Sequence, residues 1–256
     1  MELLLPNFGY PFLLIFSRLS AFMAIFPPFA WRGIPVPVRI FFALIISFLI
    51  ALMWQGERPV MPVGDLSFVL AVAREIAAGL ILGFFVSLFL SLFLMAGQFM
   101  DHMAGLTMGG VFDPLFGSQV TFIGHFFYLF AVVLFLTING HHPFFLALQE
   151  SFRIIPLAGP WFSPALPEQF FKLFAGVFLL AFQIAAPVIV VLLILDLALG
   201  FLSRAMPQIN IFIISFSLKI LLALALLQLL LPYLENMLGH LFAQMAADFM
   251  LVMESW

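Results

Sequence analysis

The side chains that could bind a metal or transfer a proton are few in this sequence, and they are widely spaced. The one pair of adjacent imidazoles is His141 and His142. Adjacent side chains on a helix point about 100° apart, and no acid lies three or four residues from either histidine to complete a tetrahedral site. His102 beside Asp101, and the isolated His125, are expected to be hydrogen-bonded or solvated. The sequence therefore predicts neither a metal site nor any other cofactor.

The sequence also lacks the patterns of known catalytic centres. It contains no cysteine, which excludes thiolate nucleophiles and disulfides, and it has no G-x-S-x-G, P-loop or H-E-x-x-H pattern. Four charged residues lie inside long apolar runs: Arg18, Glu75, Asp196 and Lys219. Charges are expensive in lipid, so these side chains are expected to face protein or water. We interpret Glu75, Asp196 and Lys219 as interhelical hydrogen-bond partners, and we expect that the chain is not an enzyme.

The composition is that of a membrane-type protein. Hydrophobic residues make up 65% of the 256 residues and charged residues only 8%, and the mean hydropathy is +1.25. A soluble domain carries about 25% charged residues, so this chain must contact lipid or a large area of other protein. A net charge of −3 gives no reason to expect a nucleic-acid partner.

Six apolar stretches are long enough, or nearly so, to cross a bilayer, which requires about 20 residues. They are residues 8–26, 38–54, 68–95, 121–138, 170–195 and 211–231. A shorter amphipathic stretch follows near 241–253. Asn139 and Gly140 predict the end of the fourth helix, and Pro143 allows a short additional one. The sequence therefore predicts an all-α, multi-helix membrane-type protein in a single domain, 1–256.

The stretch at residues 97–119 differs from the helices around it because it contains five glycines, one proline and two acids. Glycine adopts positive φ angles easily and Pro114 has no backbone donor, so residues 109–117 cannot form a regular helix. Irregular backbone that carries apolar side chains is tolerated at membrane depth where it is buried in protein or lines a cavity. We predict a re-entrant or pore-facing loop here; the alternative is an ordinary interhelical loop.

Two further patterns predict close contacts between helices. Gly79 and Gly83 form a small-xxx-small pair that lets another backbone approach closely. Asp196, Gly200 and Arg204 lie one helical turn apart, so they can share one face and join a helix end to a neighbour.

Four parts of the sequence together resemble one family. The run LAFQIAAPVIVVLLILDLALGFLSRAMPQINIFIISFSLKILLALALL (180–227) closely resembles the flagellar biosynthetic protein FliR family, whose virulence type III secretion counterparts share the pattern. Three other stretches match as well: PPFAWRGIPVPVR (27–39), REIAAGLILG (74–83), and GQFMDHMAGLTMGGVFDP (97–114) with NGHH downstream. The most specific signal is the cluster D-x3-G-x3-R-x2-P-Q-x-N, here Asp196, Gly200, Arg204, Pro207, Gln208 and Asn210. The resemblance covers nearly the whole chain.

The resemblance implies a subunit of a protein-export gate whose helices pack as hairpins. The gate would be built with FliP-type and FliQ-type subunits, would work with FlhB-type and FlhA-type export proteins, and would conduct unfolded flagellar proteins. Its location would be the bacterial inner membrane at the flagellar basal body, with part of the assembly above the membrane plane on the periplasmic side.

The resemblance also implies that the loop matching residues 105–119 closes the resting pore as a plug. The candidate plug residues are Met108, Gly109, Gly110, Phe112, Leu115, Phe116 and Gly117. Soft apolar side chains would fill the lumen, and glycines would let the loop move aside. The candidate assembly contacts are Glu75, Gly79, Gly83, Asp196, Gly200, Arg204, Pro207 and Lys219.

Two other classes of protein remain open on the residues alone. A small secondary transporter would need discontinuous helices around a midplane site with ion-binding groups, and the breaks at Pro187 and at 97–117 are the features that support it. An intramembrane enzyme would need a catalytic pair, which the sequence does not offer.

Overall fold

The computed structural model describes residues 4–27, 29–30, 33–54, 59, 64–108, 121–159, 166–208, 210–254 and 256. These residues form seven α-helices: α1 (Leu4–Ile25), α2 (Val36–Leu52), α3 (Asp65–Ala104), α4 (Phe122–Thr137), α5 (His141–Ile154), α6 (Leu166–Ala205) and α7 (Ile211–Glu254). A short 3-10 turn, Leu106–Met108, follows α3. No strand occurs in the described part of the chain, and the predicted all-α class is confirmed.

Three helices are longer by twelve residues or more than the apolar stretches that predicted them. α3 and α6 each contain 40 residues, and α7 contains 44. α7 joins the predicted helix at 211–231 to the amphipathic stretch at 241–253, with Pro232 inside it. The predicted helix boundary at residue 231 was therefore wrong. A membrane-type helix tolerates an internal proline where neighbouring groups bind the backbone carbonyl that the proline leaves without a donor. The short helix expected after Asn139 is α5, and Asn139 itself has φ of +57°.

The helical contacts divide the chain into two compact units. Unit 1 comprises Met1–Phe89, Asn139–Lys172 and Ala243–Trp256, and unit 2 comprises Leu90–Ile138 and Leu173–Phe242. The long helices α3, α6 and α7 therefore each contribute one part to unit 1 and another to unit 2.

Unit 1 is built on the packing of α1. Its buried face carries Leu14, Leu19 and Phe22, all without solvent exposure. On the α3 side, a Cβ atom at Gly79 would collide with the backbone oxygen of Arg18, and one at Gly83 would lie 2.8 Å from the backbone oxygen of Phe22. The close approach predicted for this glycine pair is therefore present, and the approaching backbone belongs to the same chain.

Unit 2 is held by aromatic contacts and by a second backbone contact. Phe99 of α3 lies edge-on to Phe178 and Phe182 of α6, with ring centroids 5.7 and 6.0 Å away. Such edge-on pairs add to the stabilisation gained from apolar burial. Gly97 of α3 lies directly against the backbone of Gly124 in α4, where a Cβ atom would not fit. The C-terminal part of α3 is thus fixed against both α4 and α6.

Much of the remaining helix surface is apolar and exposed. By length and composition, α1, α3, α6 and the 213–234 part of α7 could each cross a membrane, and the pair α4 and α5 could supply a fifth span. Of the most apolar part of α3, 61% is buried inside the chain, whereas only 6% of the most apolar part of α7 is buried. α3 is therefore a core helix, whereas the first half of α7 faces lipid or another protein.

The backbone contact at Gly79 predicts a steric effect of one methyl group. Gly79→Ala should lower stability by about 1–3 kcal/mol, because a backbone oxygen cannot move aside as a flexible side chain can. The matched control is Gly176→Ala in α6, where nothing lies within 4 Å of the added Cβ and the gain in helix propensity is up to about 1 kcal/mol. Thermal unfolding in detergent measures both. Equal unfolding temperatures for Gly79→Ala and the parent would contradict the contact.

Candidate functional site

The candidate site in unit 2 is the base of the glycine-rich loop, where α3 ends and α4 begins. Residues 97–104 are helical, so the loop begins later than residue 97, at Gly105, whose φ is +80°. Of the predicted plug residues, Met108 closes the 3-10 turn. The other six, Gly109, Gly110, Phe112, Leu115, Phe116 and Gly117, lie outside the described residues.

The carboxylate of Asp101 joins the two ends of this loop. It lies in the last turn of α3 and has no solvent exposure. Its Oδ1 accepts a hydrogen bond from the backbone N–H of Ile123 at 2.9 Å, and its Oδ2 accepts one from Gly124 at 3.1 Å. These donors belong to the first turn of α4, where backbone N–H groups have no partner within their own helix. Thr121, at the N-cap position of α4, makes no capping bond with its side chain.

In unit 1, the guanidinium of Arg18 is fully buried among three segments. Its Nε donates to Oε2 of Glu75 at 2.6 Å. Its two terminal nitrogens donate to the backbone oxygens of Ser151, at 3.1 Å, and Ile155, at 3.0 Å. The Cζ atom lies 4.5 Å from the centroid of the Phe152 ring. Arg18 of α1 is thereby connected to α3 and to the C-terminal end of α5.

The same carboxylate orders the connector that follows α5. Oε1 of Glu75 accepts a hydrogen bond from the backbone N–H of Ala158 at 3.0 Å. Ala158 has φ of +56°, a conformation that residues other than glycine seldom adopt without such support. The neighbouring Arg74 donates to the backbone oxygen of Gly159 at 3.1 Å. Glu75 is therefore an interhelical partner, as the sequence predicted, and it also fixes the start of the connector.

The remaining predicted contact residues lie on α6, on α7 and in the turn between them. Asp196 and Lys219 form an interhelical ion pair at 2.5 Å, with side chains 40% and 20% exposed. Gly200, Arg204 and Pro207 are exposed. Nothing lies within 4 Å of a Cβ placed at Gly200. The interpretation of Asp196 and Lys219 as interhelical partners is confirmed, and the assembly role of the whole set stays a prediction.

Two features of these sites were not predicted from the sequence. The partner of Arg18 lies 57 residues away, and no local pattern pointed to it. No role was predicted for Asp101, and the structure shows it fully buried; its apolar neighbours Met100 and Met103 were the available signal. His141 and His142 begin α5 with ring centroids 4.6 Å apart, and the described residues hold no group of three acids or histidines that could bind a metal.

Comparison with known proteins gives consistent similarities over most of the chain. Residues 10–245 match the family described as "Bacterial export proteins, family 1". Flagellar biosynthetic protein FliR of Bacillus subtilis is 35% identical over 212 residues, which is 82% of this chain and 81% of that protein. FliR of Escherichia coli is 30% identical over 89% of this chain and 86% of its own length. The secretion system apparatus protein SsaT of Salmonella typhimurium is 28% identical over 73% of each chain.

The Arg18 network predicts that the stability losses caused by single substitutions are not additive in the double substitution. Arg18→Met leaves the Glu75 carboxylate buried without its cation and should cost about 3–5 kcal/mol, and Glu75→Met should cost a similar amount. Arg18→Met combined with Glu75→Met removes both charges and should cost clearly less than the sum. Thermal unfolding of the four proteins in detergent gives the coupling free energy. Additive losses would show that the pair is not coupled.

Proposed function

The chain belongs to the family of bacterial export proteins matched above and is a FliR-type protein. We propose that it is a core subunit of a flagellar protein-export gate. The chain is an inner-membrane component of a flagellar, type III export apparatus. The proposed gate contains FliP-type and FliQ-type subunits, works with FlhB-type and FlhA-type proteins, and passes unfolded flagellar proteins. Its role is not enzymatic, in keeping with the names of its relatives.

The observation that carries this proposal is the length over which α6 exposes apolar side chains. Phe171 and Phe201 are 74% and 72% exposed. They lie 30 residues apart in one helix, and a single crossing of a bilayer needs about 20 apolar residues. Exposed apolar side chains on more helix than one crossing needs support protein partners as the cover for part of α6.

The exposed end of α6 is the part of the chain best suited to such a partner. Gly79, Gly83 and Glu75 are occupied by contacts with α1 and with the connector, so they act inside the chain. Gly200 instead leaves an open place on the helix surface, between Asp196 and Arg204, on which another helix can lie closely. We therefore confine the proposed subunit contacts to the surface from Asp196 to Pro207 and the adjoining part of α7.

The second part of the proposal is that the loop at 105–119 closes the resting pore. Its sequence combines apolar side chains with glycines, and the two helices that flank it are joined through Asp101. An apolar constriction stops ions because it leaves too little room for their hydration shells. Phe112, Leu115 and Phe116 would fill the lumen, with Met108 at its margin, and Gly109, Gly110 and Gly117 would provide backbone freedom.

The alternative of a secondary transporter finds little support at the proline break in α6. A cavity of about 160 Å³ lies there, lined by Leu180, Gln183, Ile184, Pro187, Leu230, Tyr233, Leu234 and Met237. A transporter site at a broken helix needs groups that bind an ion or a charged substrate. This lining contains no acid, lysine, arginine or histidine, so the break resembles a bend more than a substrate site.

The assembly proposal predicts that the chain depends on its partners. Expressed with FliP-type and FliQ-type subunits, the tagged chain should purify as one large hetero-oligomer; expressed alone, it should aggregate or be degraded. Gly200→Leu should reduce partner recovery at least several-fold, and Gly200→Ala should reduce it less, because one methyl group displaces a closely packed partner helix less than a leucine side chain does. Partner recovery relative to the bait, by quantitative mass spectrometry, measures both. A well-behaved monomer, or full recovery with Gly200→Leu, would exclude this contact.

The plug proposal predicts a leak that is separate from assembly. Deletion of residues 109–117 should leave the complex assembled and make resting cells permeable to ions or small solutes. Assembly is measured by purification, and leakage by uptake of a small polar dye in the same strain. An ordinary connecting loop would instead lower assembly when shortened and cause no specific leak. A complex that assembles and stays tight would show that this loop is not the plug.

A further inference from the structure

The hairpin formed by α6 and α7 carries the same short pattern in both of its helices. QIAAP occupies residues 183–187 of α6, and QLLLP occupies residues 228–232 of α7. A proline inside a helix removes one backbone hydrogen bond, and its ring crowds the carbonyl four residues earlier, so close packing of that turn is disturbed. The two patterns lie side by side, because Pro187, Leu230 and Tyr233 line one cavity of about 160 Å³. The paired prolines therefore coincide with a gap in the packing of the hairpin.

This cavity has an apolar floor and a polar, neutral mouth. Ile184 and Leu234 form the floor, with only 5% and 1% of their surface exposed. Gln183 and Pro187 at the mouth are exposed, and Tyr233 is 65% exposed. An apolar cavity of about 150 Å³ takes up a molecule as large as benzene. The cavity is therefore an open niche for an apolar group, and the amide and the phenol at its mouth are hydrogen-bond donors.

The length of the hairpin places this niche one membrane crossing away from the turn between the two helices. The turn is polar and exposed at Arg204. Leu230 lies 19 residues beyond Ile211, where α7 begins, and a single crossing needs about 20 apolar residues. With the turn at one surface of the bilayer, the niche lies near the other surface. Tyrosine is enriched at that level, where the headgroups meet the acyl chains, and Tyr233 is in keeping with this depth.

The surface that leads to the niche is apolar. Leu179 and Leu229, each next in sequence to a residue that lines the cavity, are 56% and 75% exposed. The two charges in the middle of the crossing, Asp196 and Lys219, are paired with each other, which is how charged side chains are accommodated at membrane depth. A hydrocarbon chain that lies along the hairpin therefore meets apolar side chains up to the mouth of the niche.

We propose that this cavity is a binding site for one acyl chain of a membrane phospholipid. The chain occupies the niche over Ile184 and Leu234, and the amide of Gln183 and the hydroxyl of Tyr233 donate hydrogen bonds to its ester oxygens. Because none of the lining residues is charged, the site recognises the chain and its ester and not the charge of the headgroup. The inference requires that the hairpin lies in the membrane, and it does not depend on the proposed export gate.

A photoreactive phospholipid tests the occupant directly. The full chain, together with any subunits that co-purify with it, is reconstituted into vesicles of phosphatidylethanolamine and phosphatidylglycerol. The vesicles contain a trace of phosphatidylcholine with a diazirine near the end of one acyl chain. After illumination, peptide mass spectrometry should find several-fold more lipid adduct on Ile184, Leu230 and Leu234 than on Leu197, which is apolar and 66% exposed but does not line the cavity.

A matched pair of substitutions on α6 separates the cavity from the surface around it. Ile184→Phe places a ring in the cavity and should lower the adducts on its lining several-fold. Ile194→Phe makes the same change at a residue that is 60% exposed and does not line the cavity, so the adducts should stay at the parental level. Leu230→Phe, on the opposite helix, should act like Ile184→Phe and serves if that variant accumulates poorly. Tyr233→Phe removes one donor and should lower the lining adducts about two- to tenfold.

Each outcome decides the proposal. Lining adducts that are lost with Ile184→Phe and kept with Ile194→Phe support it. Adducts spread evenly over the exposed apolar surface would show that lipid only surrounds the hairpin, and adducts elsewhere with none on the lining would show that protein fills the cavity; either result overturns it. A strong preference for a phosphatidylglycerol probe with the same acyl chain would contradict a neutral site. The labelling decides the question whether or not FliP-type and FliQ-type partners are found.

Discussion

A guanidinium without solvent contact sets the geometry of unit 1. Burying an unpaired charge is so costly that Arg18 is compatible only with an arrangement that gives it several acceptors at once. Those acceptors come from α3 and from the C-terminal end of α5. The hydrogen bonds of one side chain of α1 therefore fix the positions of three segments relative to each other. Gly79 and Gly83 make this arrangement possible because they let α1 lie close to α3. At this short distance the side chain of Glu75 reaches the guanidinium of Arg18. The apolar contacts around the network then fill the space that it defines.

Asp101 of unit 2 is under the same constraint, because it is also buried and is paired with backbone groups of another helix. Apolar packing between membrane helices is weakly directional, since lipid tails are as apolar as the side chains they would replace. A contact that fixes the register of one helix against another must therefore involve polar groups or a close steric fit. The chain supplies both kinds together: Arg18 with Gly79 in one unit, and Asp101 with Gly97 and Gly124 in the other. In each case a buried charge meets backbone groups of a segment distant in sequence, and glycine brings the two backbones into range.

The sequence predicted those parts of the fold that depend on local pattern. Helix α2, Val36–Leu52, lies within two residues of the stretch expected at 38–54, because apolar length and flanking prolines are local properties. The extension of α7 beyond residue 231 was missed, since a proline such as Pro232 ends a helix in water but is tolerated inside a membrane-type helix. Partnerships such as Arg18 with Glu75, 57 residues apart, are properties of the fold and could not be read from either residue's neighbours.

The distribution of charge also limits how this chain can recognise other subunits. Its most deeply buried charges, on Arg18, Glu75 and Asp101, are used inside the chain, and the net charge is only −3. The outer faces of α6 and α7 present apolar side chains, with Asp196 and Lys219 already paired to each other. Long-range electrostatic steering therefore contributes little, and specificity comes from the shape of the surface around Gly200 together with the exposed Arg204. Recognition by shape requires a rigid helical frame. The internal polar contacts provide that frame, so the interactions that hold the chain together also determine which partner surface it can fit.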